Sequence, residues 1–281
     1  MRSGADIGMN GRRFDKDVLR GTAMKVVILA GGYGSRLSEE TTLRPKPMVE
    51  VGGRPIIWHI MKLYSHFGFN EFVVLAGYKA EHIKNYFLNY AMSKSDFTIE
   101  LATGEVTIVK SNVEPWKVTV LDTGIATMTA GRIKRARHVI GEERFLLTYG
   151  DGVSNTNIQQ SIELHERHGN WITLTAVTQP GRYGALSLSE DATRVRGFRE
   201  KRAGDGGLIN GGFFVCEPEV YDLIDGDDDM WEDAPMTRAV ALGKVGSYWH
   251  QGYWQSMDSL RDKMVLEKAW ESGSPPWVIW K

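Results

Sequence analysis

The segment Gly31-Gly32-Tyr33-Gly34-Ser35-Arg36 and the bracketed lysine of Pro45-Lys46-Pro47 combine two things a polyphosphate requires. Glycines lack Cβ, so the main chain can come close to an oxyanion and aim its N–H groups at it. Arg36 and Lys46 add fixed positive charge. That is equipment for holding a triphosphate. The two commonest glycine-rich phosphate motifs nevertheless fail. A dinucleotide G-x-G-x-x-G would need glycine where Leu37 stands, and the Gly-Lys-Ser/Thr of a P-loop is absent.

Carboxylates are the second ingredient. Asp151 lies between Gly150 and Gly152, directly after the apolar run Phe145-Leu146-Leu147. Ligands of open α/β sheets bind beyond the carboxyl ends of the strands, and a hard cation such as Mg²⁺ takes few carboxylates plus phosphate oxygens. An aspartate that merely stabilises a turn explains the position equally well. Asp258, in Ser256-Met257-Asp258-Ser259, is the candidate second carboxylate. A helix N-cap or first-turn acid is its strong alternative, and spacing alone cannot bring it to Asp151. Asn210-Gly211-Gly212 inside an apolar strand suggests close approach by a polyhydroxy ligand, with a β-bulge as the plain alternative. Glu200-Lys201 ends a strand and, by residue type alone, reads as solvent-facing.

Other clusters carry less. The run Asp225-Gly226-Asp227-Asp228-Asp229 looks like half a calcium loop. Met230 stands where the sharp-turn glycine belongs and Met236 where the bidentate glutamate belongs, so a solvated loop is favoured. The 7 histidines form no His-Glu-x-x-His pair or Cys/His cluster, which argues against zinc. Cys216, the sole cysteine, reads as a small buried hydrophobe.

Strands and helices must position these groups. Val26–Ala30 is apolar on both faces, as in a buried parallel strand. Ile56 to Phe67 repeats at helical spacing and stops at Gly68. A second buried strand follows at 72–76, then a helix over 79–90. Residues 97–122 hold three β-rich stretches, predicting a strand excursion, and a helix follows near 131–139. Further strands are predicted at 144–149, 171–177, 185–188, 195–199 and 210–216. Helices are predicted at 155–168, 217–224, 234–242 and from near Asp258. This alternation predicts an α/β fold, Rossmann-like, with a largely parallel mixed sheet flanked by helices and a β-rich excursion.

The chain has 281 residues, enough for one large domain over 24–281, after a Gly/Arg/Asp-rich 1–23 read as a flexible N-terminal arm without a signal-peptide core. A net charge of −1 gives no electrostatic case for nucleic acid. No apolar run approaches the roughly 20 residues that span a bilayer, so no membrane partner is expected and the cytoplasm fits.

Taken together, the motifs resemble the sugar-phosphate nucleotidyltransferases, and within them the glucose-1-phosphate cytidylyltransferases. The general signature is Leu29-Ala30-Gly31-Gly32-x-Gly34-Ser35-Arg36-Leu37 with Pro45-Lys46-Pro47-Met48. The narrower one includes Val113-Glu114-Pro115-Trp116, Met128-Thr129-Ala130-Gly131-Arg132, Thr148-Tyr149-Gly150-Asp151-Gly152 and Trp254-Gln255-x-Met257-Asp258. Ser35 stands for the family's usual threonine, and Ala130 where a second glycine is common. The resemblance implies CTP and α-D-glucose 1-phosphate as substrates, CDP-glucose and pyrophosphate as products, and Mg²⁺ as cofactor. It places Leu29, Ala30, Gly31, Gly32, Tyr33, Gly34, Ser35, Arg36 and Gly150 around the nucleotide, with Lys46 on phosphate and Thr127 and Arg132 at nucleotide-contacting positions. It makes Asp151 and Asp258 the metal ligands and sets Glu200, Lys201, Asn210 and Gly211 on the sugar-phosphate side. Arg36, Lys46, Asp151 and Lys201 would carry the catalysis. It further implies a homo-oligomer, a hexamer in particular. A transferase for another nucleotide or hexose phosphate, and a non-catalytic sugar-nucleotide sensor, are the alternatives. A dinucleotide oxidoreductase is disfavoured by Leu37 and by Ala76-Gly77-Tyr78, which offers no ribose-binding acid.

Overall fold

The computed structural model describes residues 24–178, 185–188, 195–199 and 207–280. Elements run in chain order. Strand β1 (Val26–Ala30) leads through the glycine loop to a short α1 (Ser38–Thr41), the ribbon β2 (Glu50–Val51) and β3 (Arg54–Pro55), and α2 (Ile56–His66). Next come β4 (Glu71–Ala76), α3 (Ala80–Ser93), the hairpin β5 (Ser95–Glu100) and β6 (Glu105–Ser111), and β7 (Lys117–Asp122). Helices α4 (Thr129–Arg135) and α5 (Arg137–Ile140) precede β8 (Phe145–Tyr149), β9 (Gly152–Ser154), α6 (Ile158–His168) and β10 (Ile172–Thr178). The chain continues with β11 (Ala185–Leu188), β12 (Val195–Arg199), β13 (Leu208–Cys216), α7 (Ala234–Ala241), β14 (Val245–His250), β15 (Trp254–Ser256) and α8 (Leu260–Glu271).

Seven strands form the central sheet in the order β14-β10-β13-β8-β1-β4-β7. Strand β13 is antiparallel to both its neighbours, and the other four pairings are parallel. The largely parallel mixed sheet expected from the alternation is therefore present. Successive side chains of a strand point to opposite faces, and β1 shows why both parities must be apolar. Val26, Ile28 and Ala30 pack against α2, α3 and α6, while Val27 and Leu29 pack against α4, α7 and Trp231. Cys216 is fully buried, as its surroundings in the sequence suggested.

Two expectations need correction. Strand β7 is not part of an excursion but pairs in parallel with β4 and forms one edge of the sheet. Only β5 and β6 stand apart, pairing solely with each other among the described residues. The 217–224 segment is a 3-10 helix, Pro218–Leu223. The acidic run is the solvated loop expected, and it is also strapped down. Asp225 and Asp227 pair with Arg238 and Arg135, and the Asp227 and Asp229 carbonyls accept the N–H groups of Met128 (2.8 Å) and Ala130 (3.0 Å) at the start of α4.

The segment after α8 seals a third apolar cluster. Trp277 is buried against Tyr253 and Trp270, and its indole N–H donates to His59 Nδ1 (3.3 Å). His59 Nε2 lies 2.9 Å from the Val51 carbonyl. One ring nitrogen must therefore accept and the other donate, which is the neutral imidazole. Burial, reinforced by Arg54 against the backbone hydrogen bonds, lowers the His59 pKa to about 4. In the unfolded chain it titrates near 6.5. Between these values the unfolded state binds the extra proton, so stability is complete above pH 6.5 and is lost as pH falls toward 4. We expect up to about 3 kcal/mol of loss from this group. Urea unfolding at pH 7 and pH 4.5 checks this, with His59→Gln expected to reduce the difference, and with His165 and His250, whose pKa values burial also lowers, supplying the remainder.

Candidate active site

The glycine loop leaves the carboxyl end of β1, and Gly150-Asp151 leaves the neighbouring carboxyl end of β8, to which β1 is paired in parallel. Gly34 takes φ +64°, a left-handed conformation open to glycine, and starts a 3-10 turn over Ser35–Leu37. Leu37, the residue that breaks the dinucleotide pattern, is fully buried in the third cluster and anchors that turn. The Thr41 hydroxyl donates to the carbonyls of Gly34 (3.1 Å) and Leu37 (3.0 Å) and ties the turn from beneath. The backbone N–H groups of Gly32, Tyr33 and Gly34 have no partner among the described residues. They are available to an anion.

Gly31 has a different task. A Cβ there would lie 2.2 Å from the Arg132 guanidinium carbon. Arg132, on α4, is buried beneath the loop and donates to the carbonyls of Gly31 (3.1 Å), Gly124 (2.7 Å) and Ala76 (3.1 Å) and to the Thr123 hydroxyl (2.7 Å). Its charge is spent on protein oxygens, so it shapes the wall of the nucleotide-side cavity and fixes the ends of β1 and β4. Burial lowers its pKa, although a guanidinium stays protonated throughout the accessible range.

Lys46 is set by its prolines. Pro45 is extended, Lys46–Met48 forms a 3-10 turn, and the Met48 N–H donates to the Pro45 carbonyl (2.8 Å). The ammonium lies 2.7 Å from Asp151 Oδ2 and 2.7 Å from Asp258 Oδ1. Burial alone would lower the Lys46 pKa, but the charges and hydrogen bonds of Asp151 and Asp258 outweigh it and raise the value. For Asp258, burial opposes the charged form, and Lys46, Ser256 and Arg36 overcome it and hold the pKa below the ordinary range.

The fold explains how the two aspartates meet. Strands β9 and β15 pair antiparallel, with Gly152 opposite Ser256, and the Met257 N–H donates to the Asp151 carbonyl (2.8 Å). That two-stranded ribbon carries Asp258 to Asp151. The helix after it is capped without Asp258. Ser259 is the N-cap, and Asp262 completes the capping box. The alternative reading of Asp258 as a cap is thereby assigned to its neighbour, which leaves its carboxylate for the cleft. The Ser256 hydroxyl holds its second oxygen at 2.9 Å.

Two cavities share this centre. The first, of about 640 Å³, is lined by the whole loop from Leu29 to Arg36, by Lys46, Thr127, Arg132, Gly150, Asp151 and Asp258, and by Pro47, Ile125, Ala126 and Met128. The second, of about 470 Å³, is lined by Asn210, Gly211, Gly212, Thr148, Trp254 and Ser256. Arg36, Tyr149, Asp151 and Asp258 line both. Asn210-Gly211-Gly212 has the bulge of its plain reading. The register between β10 and β13 slips there, as in a bulge, and all three residues also face the second cavity. Glu200 and Lys201 lie outside the described residues.

Residue type did not reveal Trp254 or Tyr149 as cavity residues. The Trp254 indole N–H donates to the Gly211 carbonyl (2.7 Å) and props the strand. The Tyr149 hydroxyl donates to Glu232, accepts from Asn210 Nδ2 (3.4 Å), and has its pKa raised by burial and by Glu232. The only signal was their place in the quoted motifs.

Asp151 and Asp258 are the residues that could hold a metal. Two carboxylate oxygens already converge on one cation, the Lys46 ammonium, and are hard donors of the kind Mg²⁺ takes. Among the described residues no group of three or more His, Cys, Asp and Glu converges. The remaining ligands would come from water and substrate phosphate, which is the usual Mg²⁺ arrangement.

Comparison with known proteins decides the family. The nucleotidyl transferase family model matches residues 25–258. The chain belongs to this family. It is 51% identical to the glucose-1-phosphate cytidylyltransferase of Salmonella typhi over 92% of this chain and 100% of that protein. It is 43% identical to the probable glucose-1-phosphate cytidylyltransferase of Bacillus subtilis, again over 92% of this chain and 100% of the relative. The Arabidopsis thaliana mannose-1-phosphate guanylyltransferase 1 is more distant, at 28% over 85% of this chain and 62% of its own length. Among solved structures, HddC from Yersinia pseudotuberculosis superposes with a TM-score of 0.63 at 22% identity, covering 88% of this chain and 99% of that one. A UDP-glucose pyrophosphorylase complexed with UDP-glucose gives 0.62 at 15% identity, covering 89% and 99%. At such identities these likenesses speak for the fold. Within the family, the chain stands with the glucose-1-phosphate cytidylyltransferases.

Proposed function

We propose that this nucleotidyltransferase makes CDP-glucose from CTP and α-D-glucose 1-phosphate, with Mg²⁺ and release of pyrophosphate. The observation that carries the reading is the meeting of two cavities at Arg36, Tyr149, Asp151 and Asp258, beside the shared contact of Lys46. Similarity to the Salmonella and Bacillus proteins supports the choice of base and sugar.

The nucleotide occupies the first cavity, with its phosphates against the free N–H groups of Gly32, Tyr33 and Gly34. The sugar phosphate occupies the second, beside Asn210, Gly211 and Trp254. A phosphate oxygen of the sugar attacks the α-phosphorus of CTP. The new P–O bond forms as the bond to the β-phosphate oxygen breaks, and pyrophosphate takes the electron pair. Both partners are polyanions, so the chain's contribution is positioning and charge. Arg36 and Lys46 offset charge that grows on the leaving pyrophosphate. The nucleophile is already ionised near neutral pH, so no general base is needed. Asp151 and Asp258 would hold Mg²⁺, which when bound screens phosphate charge and orients the α-phosphate. By resemblance, Lys201 steadies the incoming phosphate and Glu200 the sugar, and the same reading carries a homo-oligomer and a cytoplasmic location. No helix among the described residues is long and apolar enough to cross a membrane.

The test is pyrophosphate release with glucose 1-phosphate and Mg²⁺ across CTP, UTP, dTTP, ATP and GTP. CTP should be turned over at least about tenfold faster than any other, a discrimination within the reach of base-edge hydrogen bonds. A higher rate with another triphosphate would reassign the base. No release with any of the five would point to a sugar-nucleotide sensor.

A further inference from the structure

We infer that Lys46 is an internal counter-ion of the metal site, which a divalent cation must displace and which the displacement delivers to the triphosphate. The inference rests on the reading of Asp151 and Asp258 as metal ligands. Its ground is geometric. The Lys46 ammonium lies 2.7 Å from a carboxylate oxygen of each aspartate, so it stands where a cation shared by the two would stand. Ammonium and metal cannot hold the same pair of oxygens together, because like charges at such separations repel strongly in a partly dry site. The Lys46 side chain is 13% exposed, against 30% and 27% for the aspartates. Driven from the carboxylates without a new anion, the ammonium would be a poorly solvated charge beside a divalent cation.

The first cavity supplies the alternative partner. Lys46 lines it together with the glycine loop and both aspartates. The backbone of Lys46 is bracketed by Pro45 and Pro47 and closed by the Met48–Pro45 hydrogen bond, so the stem is fixed and the flexible side chain does the moving. A triphosphate in that cavity accepts the ammonium as the metal takes its place. Metal and triphosphate then favour one another's binding, a positive coupling carried by one side chain. The apo site keeps its two carboxylates compensated and its affinity for bare metal low.

The experiment measures binding of Mn²⁺ alone to the full chain, by the electron paramagnetic resonance signal of the free ion. Lys46→Met is expected to bind Mn²⁺ at least about tenfold tighter than the wild type, because the competitor is gone and two unpaired carboxylates face each other. Lys46→Arg keeps the charge with a forked donor, and should bind no tighter than the wild type. Adding Asp151→Asn to Lys46→Met should remove the gain. Equal or weaker binding in a folded Lys46→Met protein would overturn the inference, as would a gain that survives Asp151→Asn. Should Lys46→Met fail to fold, Lys46→Gln takes its place with the same expectation. The readout is independent of the reaction. Failure of the proposed reaction appears as wild-type protein that releases no pyrophosphate, and failure of this inference as active wild type with an unchanged Lys46→Met titration.

Discussion

Asp151→Asn and Asp258→Asn are each expected to lower turnover by about 10²-fold or more, on the scale of removing one preorganised electrostatic partner. The substitutions keep shape and remove charge. Each leaves Lys46 with its other aspartate. Both side chains retain about a quarter to a third of their exposure, so water can reach the new amides and the fold should survive. The measurement is kcat for pyrophosphate release at saturating substrates, with thermal melting as the control. Turnover within about threefold of the wild type in either variant would sink the two-carboxylate assignment, because a residue that holds the metal in the transition state lowers kcat directly.

Arg132→Leu should cost about 2–3 kcal/mol of folding stability, the range for losing hydrogen bonds to a charged donor and leaving a buried acceptor unsatisfied. The buried guanidinium binds three carbonyls and a hydroxyl from three stretches of chain; a leucine would leave the Gly124 carbonyl without this donor and strip one hydrogen bond each from Gly31, Ala76 and Thr123. Arg132→Lys should recover only part of this, since an ammonium lacks the planar fork that reaches all four oxygens. Urea denaturation monitored by tryptophan fluorescence tests both. A loss below about 1 kcal/mol for Arg132→Leu would mean that water replaces the side chain and that the loop is not held from beneath.

Much of this was legible from residue types, and the gaps have physical causes. The glycine loop, Lys46 and Asp151 were readable because strand, loop and charge follow one another within short stretches of chain. Asp258 was ambiguous because an acid ahead of a helix caps it as readily as it binds a ligand. Only the pairing of β9 with β15, and the assignment of the cap to Ser259, separates the two readings. Gly31 looked like room for phosphate, whereas its missing Cβ makes room for Arg132, a contact between residues 101 apart in the chain. Strand β14 escaped notice because Gly246 and Ser247 dilute its apolar pattern at an exposed sheet edge. Strand β7 read like its hairpin neighbours because all three are rich in Val and Thr. Sheet membership is set by long-range pairing that such composition does not encode.

The ribbon of β9 and β15 also sets when in the life of the chain the site first exists. Lys46 and Asp258 are 212 residues apart. At about 5–20 residues per second of synthesis, roughly 10–40 s pass between the emergence of the lysine and that of its second carboxylate. Until β15 has been made, Lys46 can have only one of its two carboxylate partners. The site is complete only once the late strand has paired with the early one.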